Sequence, residues 1–214
     1  MTTLTIAVLD AHAVPQTASP GIAFRLRIEE VSGRRVHAIL LRCQTRIEPR
    51  GRRYTRDEQV RLYELFGDVS QWDRTLQAVT WAHSSLVVPS FEKQVEIDLP
   101  VACTYDLEVA SAKYLHALRD GDVPLVFLFS GTIFNVNDSG ICMEPVPWDL
   151  DASFRMPAQV WQSAMDRFFP GGGWLRVRRD TIDRLQAFRG RRAIVSWDET
   201  IDLLLQRAAS EEIV

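Results

Sequence analysis

The chain has few of the residues from which metal and disulfide sites are built. Its 214 residues include three widely spaced cysteines and four histidines, and no two of these histidines lie within four positions of each other. A disulfide scaffold needs more cysteines, and a zinc or iron–sulfur site needs closely spaced ligands such as Cys-x-x-Cys. The sequence therefore predicts no metal site and no cofactor.

Long apolar runs and an excess of basic residues are also missing. The longest apolar stretch, Pro124 to Phe129, is far too short to span a bilayer. The N-terminal residues MTTLTIAVLDAHAVPQ lack the basic start and long apolar core of a signal peptide. A net charge of −3 argues against a nucleic-acid or membrane-surface binder. We therefore expect a cytoplasmic protein with neither kind of partner.

The first three quarters of the chain show the two-residue period of β-strands. Ile22, Phe24, Leu26 and Ile28 alternate with polar or small residues, which is typical of a half-buried strand. The stretch 123–136 is apolar at both odd and even positions, which predicts a buried central strand that is covered on both faces. The sequence Asn-Asp-Ser-Gly that follows it predicts a hairpin turn.

After Pro157 the apolar period changes to about 3.6, which predicts three helices, the last of them opened by a Ser196–Glu199 capping box. The predicted fold class is α+β, a mainly antiparallel β-sheet or β-sandwich over about residues 1–156 with a C-terminal three-helix segment packed on it. The corresponding domains are a β-rich domain, 1–156, and a helical segment, 157–214. Segments this short are expected to share one core.

Isolated features resemble catalytic motifs but lack their context. Ser130 ends an apolar strand without the small residue two positions earlier, or the following helix, that a nucleophile elbow needs. Cys142 alternates with Ile141 and Met143, so it is expected to be exposed. Asp149 and Asp151 lie on the same side of an extended chain. Such a pair could hold a cation or act as acid and base, but the same arrangement is typical of a solvated strand edge. No catalytic residue is predicted.

The most suggestive group is an aromatic and arginine-rich cluster predicted at the junction of sheet and helices. Aromatic and arginine side chains are common energetic anchors of protein interfaces, so this group is the predicted protein-binding site. The alternative is that the aromatics hold the helices to the sheet while the arginines pair with nearby acids. A short strand over 174–177 would place two of the arginines on one face. The predicted residues are Trp148, Phe169, Trp174, Arg176, Arg178 and Arg179.

Several stretches taken together resemble an uncharacterised bacterial family, common in actinobacteria, that is classed only as a domain of unknown function. The resemblance covers nearly the whole chain. It rests on these stretches: LRCQTRIEPRGRRY, LFG followed by Trp72, VPSF, CTYDLEVASAKYLHALRDGDVPLVFLFSGTIF, PVPWD, and MDRFFP followed by WLRVRRDTIDRL.

Genes of that family look associated with actinobacterial-type nickel–iron uptake hydrogenases. The resemblance therefore implies an accessory protein in hydrogenase assembly or maturation, with a hydrogenase subunit or maturation factor as its partner. Because histidine-rich tracts and paired cysteines are missing, a scaffold fits better than a metal donor. The alternatives are an enzyme with a dispersed site in a sheet–helix cleft, and a small-molecule-binding β-sandwich. Oligomeric state is left open.

Overall fold

The computed structural model describes residues 2–15, 19–104, 106, 109–137, 140–172 and 176–211. Eight strands within these ranges form two antiparallel sheets. The strands are β1 (Leu4–Ala13), β2 (Gly21–Glu30), β3 (Val36–Ile47), β4 (Val79–Val88), β5 (Gln94–Ala102), β6 (Asp122–Asn137), β7 (Gly140–Pro145) and β8 (Asp151–Pro157).

Helices fill the connections and the C-terminal part of the described chain. They are α1 (Arg56–Arg61), α2 (Tyr63–Phe66), α3 (Trp72–Thr75), α4 (Ala110–Ala117), α5 (Ala158–Phe168), α6 (Arg179–Arg191) and α7 (Trp197–Glu211). Antiparallel sheets combined with C-terminal helices confirm the predicted α+β fold class. None of the described helices combines the length and the apolar character that crossing a membrane requires.

The smaller sheet has the strand order β1-β2-β5. The even positions of 22–28 in β2 are fully buried, which confirms the alternation seen in the sequence. On the opposite face, Arg25 and Arg27 pair with Asp98 and Glu96 of β5 at 2.5 and 2.8 Å. This face is solvated, so the ion pairs align the two strands more than they stabilise the fold.

The larger sheet has the order β4-β3-β6-β7, and β8 also pairs with β6. On one side of β6 lies β3, and on the other side β8 pairs with residues 122–128 and β7 with 132–137. This arrangement confirms that β6 is a central strand, but the prediction that both of its faces are covered is wrong, since Val136 on the outer face is 58% exposed. Phe127 and its neighbours on the inner face are buried, whereas Val126 and Leu128 on the outer face are half-buried.

The inner faces of the two sheets meet through aromatic rings. The ring of Phe24 in β2 lies 4.9 Å from that of Phe127 in β6, edge to face, and 6.0 and 6.2 Å from Trp81 and Phe154. Edge-to-face packing at these distances is favourable and leaves little free volume. The small-molecule-binding alternative would place its ligand between the sheets, where these four rings contact one another.

The helix α5 begins after Pro157 as predicted and packs against β1, β2 and β8. Ala158, Trp161, Ala164 and Met165 form its buried stripe. By internal contacts the chain divides into two compact units, residues 1–174 and 175–214, so α5 lies with the sheets. The sequence suggested a boundary at 156 because the apolar period changes there. That the helices α6 and α7 share one core with the β-rich part of the chain stays a prediction.

The second unit contains α6 and α7. As the sequence predicts, Ser196 caps α7, because its Oγ accepts a hydrogen bond from the backbone N–H of Glu199 at 3.1 Å. Two arginine–aromatic contacts support the connection between the helices. The guanidinium of Arg189 lies 4.4 Å from the ring centre of Trp197, and that of Arg192 lies 4.7 Å from the ring of Phe188.

Candidate protein-binding surface

Strand β7 presents its large apolar side chains to solvent. It pairs with β6 so that Ile141 lies opposite Val136 and Met143 opposite Phe134. The side chains of Ile141 and Met143 are 70% and 67% exposed. Cys142, on the alternate parity, is half-buried. The sequence suggested the reverse orientation, and that expectation is wrong because the register with β6 turns Ile141 and Met143 to the outer face.

Neighbouring strands extend this apolar surface across the larger sheet. Leu40 of β3 lies opposite Val87 of β4, and both side chains are exposed. Ala38, two residues earlier on the same face, lies opposite Phe134 of β6. We call this surface the outer apolar face; it consists of Ala38, Leu40, Val87, Phe134, Val136, Ile141 and Met143. Contiguous apolar surface of this kind marks interaction sites on soluble proteins.

The edge of the larger sheet beside β7 is also exposed. β7 ends the strand order, and among the described residues no strand pairs with its far side. The loop Val146–Leu150, which follows β7, carries Trp148 with 93% of its surface exposed. Hydrogen bonds from Val146 N to Gly131 O and from Phe129 N to Leu150 O, each 3.0 Å, fix both ends of that loop to β6. An unpaired strand edge beside apolar side chains is a ready site for another chain.

The residues predicted to bind a protein are distributed over both units. Trp148 and Phe169 lie in the first unit. Phe169 follows α5 and packs half-buried against the core, so it acts structurally there. Trp174 lies outside the described residues. The cluster as a binding site stays a prediction.

The arginines of that predicted group belong to the second unit. Arg176, Arg178 and Arg179 are exposed. Residues 176–178 have no strand structure, so the strand predicted over 174–177 is wrong for that part. Residues 176–178 lead directly into α6. Arg178, which precedes the helix, pairs with Asp180 in its first turn at 3.6 Å. Both partners are largely exposed, so this pair contributes little to stability.

The alternative of an enzyme with a dispersed site would use His83, Cys142 or Asp149, and the first two of these are far apart. His83 lies on β4 and Cys142 on β7, at opposite ends of the larger sheet. Three strand spacings of about 4.8 Å separate them across the sheet. Along the sheet, His83 aligns through Gln44 with Leu128 of β6 and Cys142 aligns with Asn135, seven residues further on, so the two side chains lie more than about 20 Å apart. The cleft beside Cys142, of about 370 Å³, includes neither His83 nor Asp149. Across the described residues, no three His, Cys, Asp or Glu side chains gather as a metal site would require.

The other two thiols are buried and weakly acidic. Removal from water raises the pKa of Cys43 and of Cys103 to about 12. A thiol is nucleophilic as its thiolate, and at neutral pH these two groups are protonated. Both cysteines are therefore small core residues, Cys43 within β3 and Cys103 directly after β5.

The arginine-rich loop before α1 is held by internal contacts. Arg52 is 8% exposed and its Nη2 donates to Glu58 Oε1 at 2.8 Å, while Glu58 is fully buried. Arg50 donates to the backbone carbonyls of Leu76 and Asp73. The cleft above these residues has a volume of about 480 Å³. Because three of the four arginines that line the cleft, Arg50, Arg52 and Arg155, already donate to protein acceptors, we assign the cleft a structural role.

Comparison with known protein families finds a match. The model of a family described as a family of unknown function (DUF6084) matches residues 1–213. The chain belongs to this family. No curated protein matches it. The association with hydrogenases implied by the resemblance stays a prediction.

Among solved structures, the chain is similar to the selenomethionine-labelled β-glucosidase from Kluyveromyces marxianus. The identity is 7% and the TM-score 0.25, over 72% of this chain and 15% of that one. The chain therefore spans about a seventh of the length of that enzyme. A likeness at this level carries no argument about fold or activity.

Proposed function

We propose that the protein is a non-catalytic accessory protein that binds a protein partner through its outer apolar face. The observation that carries this proposal is the outward orientation of Ile141 and Met143 on β7, beside the exposed Leu40 and Val87. Isolated apolar side chains are normal on a protein surface. A surface that continues across four strands and ends at an unpaired edge is typical of a binding site.

Trp148 extends the proposed surface along the same sheet edge. Tryptophan is among the residues that contribute most to binding energy when a partner removes it from water. Leaving such a ring 93% exposed forgoes that hydrophobic gain in the free protein. Burial in a complex would recover it. Trp148 is thus the one residue of the predicted binding group that we retain at this surface.

We further propose that the partner is a nickel–iron hydrogenase subunit or maturation factor. Support for this comes from the sequence resemblance alone. The role that fits is a scaffold or chaperone-like one, because the described residues do not assemble a metal-delivery site. A chaperone of this kind would shield apolar surface on an immature subunit and release it on assembly.

Replacing Met143 with glutamate is expected to reduce partner capture at least about tenfold, because a carboxylate would be buried without a counterion in the complex. The measurement is affinity capture with the full-length tagged protein from the cells that produce it, quantified by mass spectrometry. The exposed position of Met143 should leave the melting temperature nearly unchanged.

Val60→Glu is the matched control, since Val60 on α1 is 71% exposed and lies away from the larger sheet. This variant should capture as much partner as the wild type. Equal capture by the Met143 and Val60 variants would refute the proposed surface. If no stable partner is recovered and hydrogenase activity is unchanged in a deletion strain, the accessory role itself fails.

A further inference from the structure

The helical hairpin formed by α6 and α7 leaves its apolar residues incompletely buried. No residue of α6 is buried, and in α7 Ile201 and Leu205 are exposed, Leu205 by 62%. Two helices of 13 and 15 residues present one stripe each and cannot enclose a core between them. The apolar stripes of α6 and α7 therefore need a further surface against which they can be buried.

An apolar groove runs along this hairpin. Its floor contains Leu185 and Phe188 of α6 and Leu204 of α7, and its volume is about 420 Å³. Arg184 and Arg191, two turns apart on α6, line it as well. An occupant of this groove should therefore offer apolar side chains flanked by carboxylates.

The second helix of the hairpin has that combination. α6 has four arginines and two aspartates, a net charge of +2, whereas α7 has four acidic residues and one arginine, a net charge of −3. On α7, Asp198 and Asp202 lie one turn apart, and each precedes by three residues an exposed apolar residue, Ile201 and Leu205 respectively. Positions three apart lie on one helix face.

Within one hairpin these opposite charges do not pair. Among residues 176–211, the recorded ion pair joins Arg178 to Asp180, and none joins α6 to α7. The arginines of the groove and the carboxylates of α7 are therefore available to groups outside the hairpin. A second hairpin, related by a two-fold axis, places its α7 against the first α6 and its α6 against the first α7.

We propose that a second copy of this chain docks on the α6–α7 hairpin and completes an antiparallel four-helix bundle. In this dimer Leu205 of each copy enters the groove beside Leu185 and Phe188 of the other. Asp198 and Asp202 face Arg184 and Arg191 across the interface. Such bundles bury two apolar stripes per hairpin, which is what the isolated hairpin lacks. The residues of this surface are different from those of the outer apolar face, so either proposal can fail without the other.

The test uses the full chain and charge reversal. At about 100 μM, well above the micromolar range of modest affinities, light scattering coupled to size exclusion should give about twice the chain mass of 24.4 kDa. The variant Arg184→Glu/Arg191→Glu makes both helices acidic, and Asp198→Arg/Asp202→Arg makes both basic. Each variant alone should repel its own copy and elute as a monomer.

Mixing the two variants discriminates the proposal from a general loss of folding. In the mixed pair both helix contacts join opposite charges, so a heterodimer of about twice the chain mass should form. A monomeric wild type would overturn the proposal. Dimers that persist in both single variants, or variants that stay monomeric after mixing while their circular dichroism remains helical, would overturn it as well.

Discussion

Replacement of Glu58 by alanine should lower the free energy of unfolding by about 3–5 kcal/mol. The carboxylate is fully buried and accepts hydrogen bonds from Arg52 Nη2 at 2.8 Å, from the backbone N–H of Thr55 at 2.9 Å and from that of Arg119 at 3.0 Å. Removing it leaves the Arg52 charge almost buried without a counterion. Two backbone donors lose their acceptor at the same time.

Urea denaturation followed by tryptophan fluorescence measures this effect. Asp57→Ala is the matched control, because Asp57 lies in the same helical turn and pairs with Arg61 at 3.1 Å while 63% exposed. Exposed pairs of this type contribute at most about 1 kcal/mol. A loss for Glu58→Ala no larger than that for Asp57→Ala would show that the loop, α1 and the start of β6 are not held together by this carboxylate.

Replacement of Gly131 by alanine is the second change with a large expected effect. Gly131 lies in β6, where pairing changes from β8 to β7, and has φ +145°, a conformation that L-residues rarely adopt. A Cβ at this position would lie 2.0 Å from the carbonyl oxygen of Leu40 on β3. Backbone strain of about 1–3 kcal/mol and a similar cost for forcing the strands apart add to about 2–6 kcal/mol.

Gly140→Ala separates these two costs. Gly140 also has positive φ, +112°, but a Cβ there has no neighbour within 4 Å. Gly140→Ala should therefore lower the free energy of unfolding by the backbone-strain cost alone, about 1–3 kcal/mol. Chemical denaturation of both variants gives the comparison. Equal losses at the two positions would mean that β3 and β6 can separate at Gly131 without cost.

The strand pattern of the sequence predicted the core well where one face is plainly apolar. The alternation over 22–28 placed the inner face of β2 correctly, because charged residues on the other parity can only face water. The same pattern misplaced β7. In GICMEP both parities carry a residue able to enter a core, so the sequence does not specify the face.

Pairing decides the orientation of β7. Asn137 and Gly140 are partners, and every later pair follows from that register. The predicted hairpin is thus consistent with the pairing, although its turn residues 138 and 139 lie outside the described part of the chain. A prediction from the two-residue period assumes that apolar side chains face inward, and the exposed Ile141 and Met143 do not follow that assumption.

The buried Arg52–Glu58 ion pair could not be predicted from the sequence, for a different reason. The Thr55–Glu58 spacing correctly predicts a capping box, and the structure confirms it. Burial of Glu58, however, comes from the backbone around Arg119, sixty-one positions away. Contacts over such a separation leave no local pattern. The arginine-rich sequence PRGRRY is by itself typical of a solvated loop, whereas Arg52 is enclosed.

Site-specific photo-crosslinking tests the central claim, partner binding at the outer apolar face, most directly. A photoreactive phenylalanine at position 141 should crosslink the full-length protein to a different protein in the cells that produce it. The same residue at position 60 should not, although Ile141 and Val60 are 70% and 71% exposed. Equal crosslinking from both positions, or crosslinks from position 141 to other copies of this chain alone, would contradict the proposed partner surface.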